Sequence, residues 1–328
     1  MTLVSFIKMR RALIAGVGMT PFTKPGKSGV DYPELAATAV RRALQDCAPI
    51  SYSLVQAAIC GFVYSESCAG NRVCYELGMT GIPIMNCNNN CATGSTALRT
   101  AYQLVAGGLH DCVLAVGFEK MQPGSLKWGT NPHSESPMQR FYNSVVRAHP
   151  EDQPTGTTLA NPYMFAMVAR EHMQKYHSTK EHFAMIGIKN HAHSVNNPYS
   201  QFKNVYSLDQ IMSSPVAHDP LSRLQCSPTS DGAAAAIVVS ERFAKEYGVI
   251  GRCVEILGSE MCTDGPESID GTSAINAVGY SMTKKCARQL FDKTKLTPED
   301  VQVIELHDCF SSNELSECSD SFLKTDFN

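Results

Sequence analysis

A strand–helix–strand pattern near the start of the chain recurs near its end, and this repeat constrains the fold more than any other feature. Arg11–Val17 is a short apolar run. Tyr32–Cys47 carries apolar residues at helical spacing (Leu35, Ala36, Val40, Ala43, Leu44), and Val55–Val63 is a second apolar run. Cys253–Gly258, Ala274–Lys293 and Val301–Leu306 repeat the order, with Leu13 mapping onto Ile256 and Ile59 onto Ile304. Two copies of one βαβ-containing unit are implied. Strands of Ile, Val and Ala without polar alternation fit a parallel sheet covered on both faces.

Between the copies, Ile82–Asn86, Cys112–Gly117 and Asp231–Ser240 read as further strands. Thr93–Val105 reads as a helix closing at Gly107-Gly108. Ser125–Thr158 is rich in Pro, Asn, His and charge and has no clear period. Asn161–Tyr176 and Lys180–Val195 return to helical spacing, and a short helix follows at Glu241–Tyr247. The expected division is a first half at 1–125 and 216–250, a loop or lid insertion at 126–215, and a second half at 251–328. Only Ser311–Asn328 follow Phe310, too few for the strands and helix that complete the first copy. Ser316–Asn328 is polar and aperiodic, so the second half is expected to be incomplete.

The 13 cysteines are odd in number, irregularly spaced and without a CxxC pair. Cys60, Cys112 and Cys253 lie in apolar runs, which points to free thiols in a reducing compartment. A net charge of −3 gives no electrostatic case for nucleic acid. The longest purely apolar run, Ala233–Val239, falls far short of the ~18–20 residues that cross a bilayer. Lys8-Met9-Arg10-Arg11 before Ala12–Met19 mimics a signal peptide, but Gly16, Gly18 and Pro21 suit a strand and turn better. The lack of Asp or Glu before Asp31 keeps an organellar presequence as an alternative.

Asn86-Cys87-Asn88-Asn89-Asn90-Cys91-Ala92-Thr93-Gly94-Ser95 joins an expected strand to an expected helix. Asn and Thr favour turns and caps, which places Cys91 at or near a helix N-terminus. There the dipole and free N–H groups activate a thiol and hold a developing oxyanion. A buried structural cysteine is the competing reading, and Cys87 is the rival nucleophile. Glu305-Leu306-His307-Asp308-Cys309-Phe310 ends the last strand of the repeat, where open α/β sheets place their sites. His307 and Cys309, two apart, can face one side of an extended chain as oxyanion donor and proton donor or acceptor. A loop histidine beside a buried cysteine is the alternative. Gly16-Val17-Gly18 fails as a dinucleotide motif and Gly26-Lys27-Ser28 as a P-loop, because Pro21 holds a required glycine position in each. His191 and His193 face different ways on one helix and read as a solvated face, so no metal site is expected.

These motifs resemble the thiolase superfamily, and most closely its sterol carrier protein x type. The resemblance runs from about residue 10 to about residue 315. Its blocks are Asn88–Leu98, Gly117–Met121, Glu171–Met173, His193–Phe202, Pro228–Ala236 and Glu305–Ser311. It implies an α/β fold of two similar βαβαβαββ halves with a loop insertion, and thiolytic cleavage of 3-oxoacyl-CoA, including branched or sterol-side-chain substrates. Cys91 then matches the acylated nucleophile. His307 matches the histidine that helps hold the thioester oxygen, and Cys309 the cysteine that protonates the departing carbanion. Met164 and Phe165 fall where the insertion lines the acyl pocket. Coenzyme A is a substrate and no cofactor is implied. A homodimer, or a heterodimer with a full-length thiolase, and a peroxisomal location follow from the resemblance, with mitochondrion or cytoplasm as alternatives. The later Gly-His-Pro histidine and the Gly-rich loop of the family do not occur in this sequence. That departure raises a second reading, a catalytically dead dimerisation or regulatory module. A condensing enzyme running Claisen chemistry is disfavoured by the His307/Cys309 pair.

Overall fold

In the computed structural model, which describes residues 9–122, 125, 136–155 and 159–318 (for 317 and 318 the backbone alone), strands and helices alternate and then give way to helices. In chain order they are β1 Ala12–Met19, α1 Tyr32–Asp46, β2 Ala57–Gly61, α2 Ala69–Tyr75, β3 Ile84–Cys87, α3 Thr93–Ala106 and β4 Cys112–Glu119. Then come α4 Gln139–Ala148, α5 Ala160–Tyr176, α6 Lys180–Ser194, α7 Leu208–Met212, β5 Val216–His218 and β6 Leu221–Ser222. Last are β7 Gly232–Ser240, α8 Glu241–Glu246, β8 Val254–Glu255, α9 Ala274–Ala277, α10 Tyr280–Thr294 and α11 Ser311–Cys318. The chain forms two compact units. The first comprises 1–125, 198–201 and 229–259, and the second 126–197, 202–228 and 260–328. Residues 216–228 thus group with the helical second unit and 251–259 with the first. Residues 1–8 and 319–328, which hold Lys8 of the basic N-terminal cluster and most of the polar tail, lie outside the described set, as do parts of the aperiodic stretch 125–158.

The first unit is a mixed sheet of order β3-β2-β4-β7-β1-β8. β3, β2 and β4 are parallel, and β7 runs antiparallel to both β4 and β1. Alternate residues serve opposite faces. Ala58, Cys60, Leu114, Val116, Ile237 and Val239 pack with Ala36, Ala39, Val40 and Ala43 of α1. Ala57, Ile59, Val113, Ala115 and Val238 pack with Ala97, Ala101, Tyr102 and Val105 of α3. Every residue of β2 is buried, as the run of Val55–Val63 without polar alternation predicts.

The glycines that fail as a nucleotide motif have a packing role. A Cβ on Gly16 would stand 2.4 Å from the Ala43 carbonyl oxygen, and one on Gly18 2.3 Å from that of Ala39. The backbone of α1 therefore rests directly on β1.

The second unit is mainly helical around a separate core of Val145, Tyr163, Met164, Met167, Phe183, Leu221, Ile275 and Phe310. Arg170 pairs with Asp152 at 2.9 Å and Asp219 at 3.3 Å. Glu171 accepts from the Ser273 hydroxyl (2.7 Å) and the Ile275 N–H (3.1 Å), which fixes the start of α9. That gives the Glu171–Met173 block a structural reason.

The repeat is weaker in structure than in sequence. Cys253–Gly258 forms a strand only over Val254–Glu255, extended by one bond from the Ile256 N–H to the Ala12 carbonyl at 3.0 Å. Ala274–Lys293 divides into α9 and α10 at Gly279, whose φ of 108° is open mainly to glycine. Val301–Leu306 forms no ladder among the described residues, and Val303 is 80% exposed. A strand exists only where a neighbour satisfies its backbone, so an apolar run without one stays irregular. His191 also departs from the solvated reading. It is half-buried, edge-on to Tyr206, with Nε2 3.3 Å from the Leu224 carbonyl, whereas His193 is exposed.

Gly18→Ala should lower unfolding stability by about 1–3 kcal/mol through overpacking against α1. Gly251→Ala, whose Cβ meets nothing within 4 Å, should stay within about 0.5 kcal/mol of the parent chain. Chemical denaturation of the two variants checks the contrast.

Candidate active site

The turn from β3 to α3 is built by its own polar side chains. Asn89 donates its N–H to Thr93 Oγ1 at 2.7 Å, and that hydroxyl donates to the Asn90 carbonyl at 2.6 Å. Asn89 Nδ2 donates to Thr96 Oγ1 at 3.0 Å, and the Asn90 N–H to Asn88 Oδ1 at 3.1 Å. Asn90 sits at φ 45°, left-handed backbone that asparagine tolerates better than most residues. One residue later the chain presents Cys91, exposed, immediately before Ala92, the N-cap of α3. The first-turn N–H groups of a helix have no partner within it. Cys91 therefore stands at the N-terminal end of α3, where the helix dipole favours a thiolate.

Cys87 is placed differently. It is half-buried on β3, its Sγ points to the Thr93 carbonyl at 3.9 Å, and burial pushes its thiol above the ordinary range. Of the two cysteines in this turn, Cys91 is the exposed one.

Two residues without an assigned role in the sequence reading frame this turn. Glu119, at the end of β4, accepts the N–H groups of Val63 (2.9 Å) and Tyr64 (3.2 Å), while burial raises its carboxyl. Burial, followed by the charge of Glu119, raises the Tyr64 hydroxyl too. The signal for Glu119 was its place in the Gly117–Met121 block. Tyr64 had none, because it follows a strand with no motif around it. Asp231 of the Pro228–Ala236 block is fully buried and accepts from Gly26 N (3.0 Å) and Met121 N (2.8 Å).

The other four sequence-predicted residues belong to the second unit. His307 is exposed and Cys309 half-buried, on irregular chain rather than at the end of a strand. This stretch is anchored at four consecutive positions. Asn313 Nδ2 donates to the His307 carbonyl, and Asn190 Nδ2 to the Asp308 carboxylate. Ser227 N donates to the Cys309 carbonyl at 2.8 Å. Phe310 stacks on Phe165 with ring centroids 4.5 Å apart. Phe165 and the His307–Phe310 segment therefore come together, and Ser312 Oγ adds a bond to the Phe165 carbonyl at 2.8 Å. Met164 is 3% exposed and faces the core of the helical unit.

Residues 12–242 match the family described as thiolase, N-terminal domain. The chain is 52% identical over 316 residues to sterol carrier protein 2 of Homo sapiens, covering 94% of this chain and 55% of that protein. It thus spans about half the length of that curated relative. It is 46% identical over 307 residues to non-specific lipid-transfer protein-like 2 of Caenorhabditis elegans, covering 93% of this chain and 74% of that protein. The structure of human mitochondrial 3-ketoacyl-CoA thiolase superposes with a TM-score of 0.69 at 17% identity, covering 94% of this chain and 83% of that one, a likeness of fold. Among the described residues no helix is long and apolar enough to cross a membrane.

Alkylation by iodoacetamide, mapped by mass spectrometry, should label Cys91 fastest. Cys47 and Cys112, whose thiols burial pushes up to about 11 and about 12, should stay unlabelled in the folded chain. Uniform labelling, or slow reaction at Cys91, would contradict the site.

Proposed function

This chain belongs to the thiolase family, and we propose that within it the chain acts as an acyl-CoA C-acyltransferase, a 3-oxoacyl-CoA thiolase of fatty-acid or sterol-side-chain metabolism. The observation that carries this reading is the exposure of Cys91 directly before the N-cap of α3. In the reaction, the Cys91 thiolate attacks the 3-oxo carbon of the substrate. The bond between C2 and C3 breaks, leaving an acyl group on Cys91 and a carbanion on the departing acyl-CoA. Cys309 supplies the proton to that carbanion, while His307 donates to the thioester oxygen. A second coenzyme A thiol then takes the acyl group from Cys91. Phe165 lines the acyl side and, with Met164, sets the width available to a branched chain. Coenzyme A enters and leaves as substrate, so this chemistry asks for no resident cofactor.

The family reading also supports a homodimer, or a heterodimer with a longer thiolase, and a peroxisomal location, with mitochondrion or cytoplasm as alternatives.

A second reading, a dimerisation or regulatory module without turnover, is favoured by one observation. The chain leading to His307 has no ladder among the described residues and exposes Val303 and Ile304.

Thiolysis of acetoacetyl-CoA and of a 2-methyl-branched 3-oxoacyl-CoA by the purified chain separates the two. Turnover that falls by roughly 10³-fold or more in Cys91→Ser supports the thiolase. Absence of turnover from a folded, soluble chain supports the module.

A further inference from the structure

The residue between the two candidate catalytic side chains is held by a group that no motif singled out. Asn190 lies half-buried on α6. Its Nδ2 donates to Asp308 Oδ2 and stands 3.3 Å from Oε2 of Glu314 on α11. Glu314 is only 6% exposed, and its other oxygen pairs with Lys189, the neighbour of Asn190. One primary amide, with two hydrogens, thus serves two carboxylates, one of which also pairs with Lys189. Such an arrangement is directional. Only a donor fits between two acids, and removing it leaves them facing each other across a partly buried gap. Burial, and then the charge of Glu314, raise the Asp308 carboxyl, with Lys189 and His307 opposing.

We propose that Asn190 is a positioning residue for the candidate catalytic segment: by bridging Asp308 and Glu314 it fixes the backbone that carries His307 on one side and Cys309 on the other. The inference rests on the reading of His307 and Cys309 as the groups that meet the substrate. Its physical need is plain from the fold. The segment has no ladder among the described residues beyond a single bridge at Phe310 and the Ser227 N–H bond to the Cys309 carbonyl, so its orientation also depends on side-chain anchors, and Asn190 grips the side chain at its centre.

The test uses the full chain with Asn190→Ala and the near-isosteric Asn190→Asp, which keeps the shape but replaces the donor by a third acid facing Asp308, Glu314, Lys189 and His307. Two readouts are taken on samples with parent-like circular dichroism. In thiolysis, a displaced segment should lower kcat by about 10- to 100-fold, the scale of a sub-ångström to 1 Å misplacement, with KM little changed. For Asn190→Asp the loss should shrink as the pH falls and the new acid regains a donor hydrogen. The second readout is the alkylation rate of Cys309, with Cys262 as internal reference. It should change several-fold in both variants, whether or not the parent turns over. A parent without turnover whose Cys309 responds to Asn190 sinks the thiolase reading and keeps the positioning role. Unchanged Cys309 reactivity in both folded variants, or unchanged kcat in a parent that does turn over, overturns the proposal.

Discussion

Coverage of both faces of one sheet is the constraint on which the first unit depends. β2 contributes alternate residues to two separate apolar clusters, one under α1 and one under α3. A strand buried on both sides has no solvent to satisfy its backbone, so its neighbours must supply every partner. β3 and β4 do so in parallel register, and the helices must then cross over the faces. The same arrangement brings α3 to start where β3 ends. The turn between them is short, rich in hydrogen-bonding side chains and open to solvent. The position of Cys91 is therefore a consequence of how the sheet is roofed.

The second unit reaches order by another route. Its site segment forms no strand, and its shape is set by individual hydrogen bonds, a single β-bridge from Phe310 to Cys226 and one ring stack. Where the first unit uses a ladder, the second uses anchors from α5, α6, α11 and residue 227.

Legibility of the fold in the sequence follows this difference. Apart from α2, the strands and helices of the first unit lie within a few residues of where periodicity puts them: Thr93–Val105 became Thr93–Ala106, and Cys112–Gly117 became Cys112–Glu119. Their patterns are strong because both faces are buried. Other features were not legible, among them three that show why. α2 is seven residues long and its run Ala69–Tyr75 includes Gly70, Asn71 and Arg72, which mask the period. α4 hides in a stretch read as aperiodic, since only Ser144 and Val145 of it are buried. Val301–Leu306 has the composition of a strand without a described neighbour, and composition records only one side of a pairing. At the site, the Asn-rich turn and the His307/Cys309 motif were visible as residue types at suggestive places. Asn190 and Tyr64 were not, because their importance lies in contacts between parts of the chain far apart in sequence.

The four anchors of the His307–Phe310 segment bear on how this protein can vary. A backbone held in a ladder changes only when the whole sheet does. A backbone held by separate contacts, three of them from the side chains at 165, 190 and 313, can be adjusted one side chain at a time, each by a single codon. The presentation of His307 and Cys309 is thus open to gradual tuning, while the turn that presents Cys91 is locked to the architecture around it.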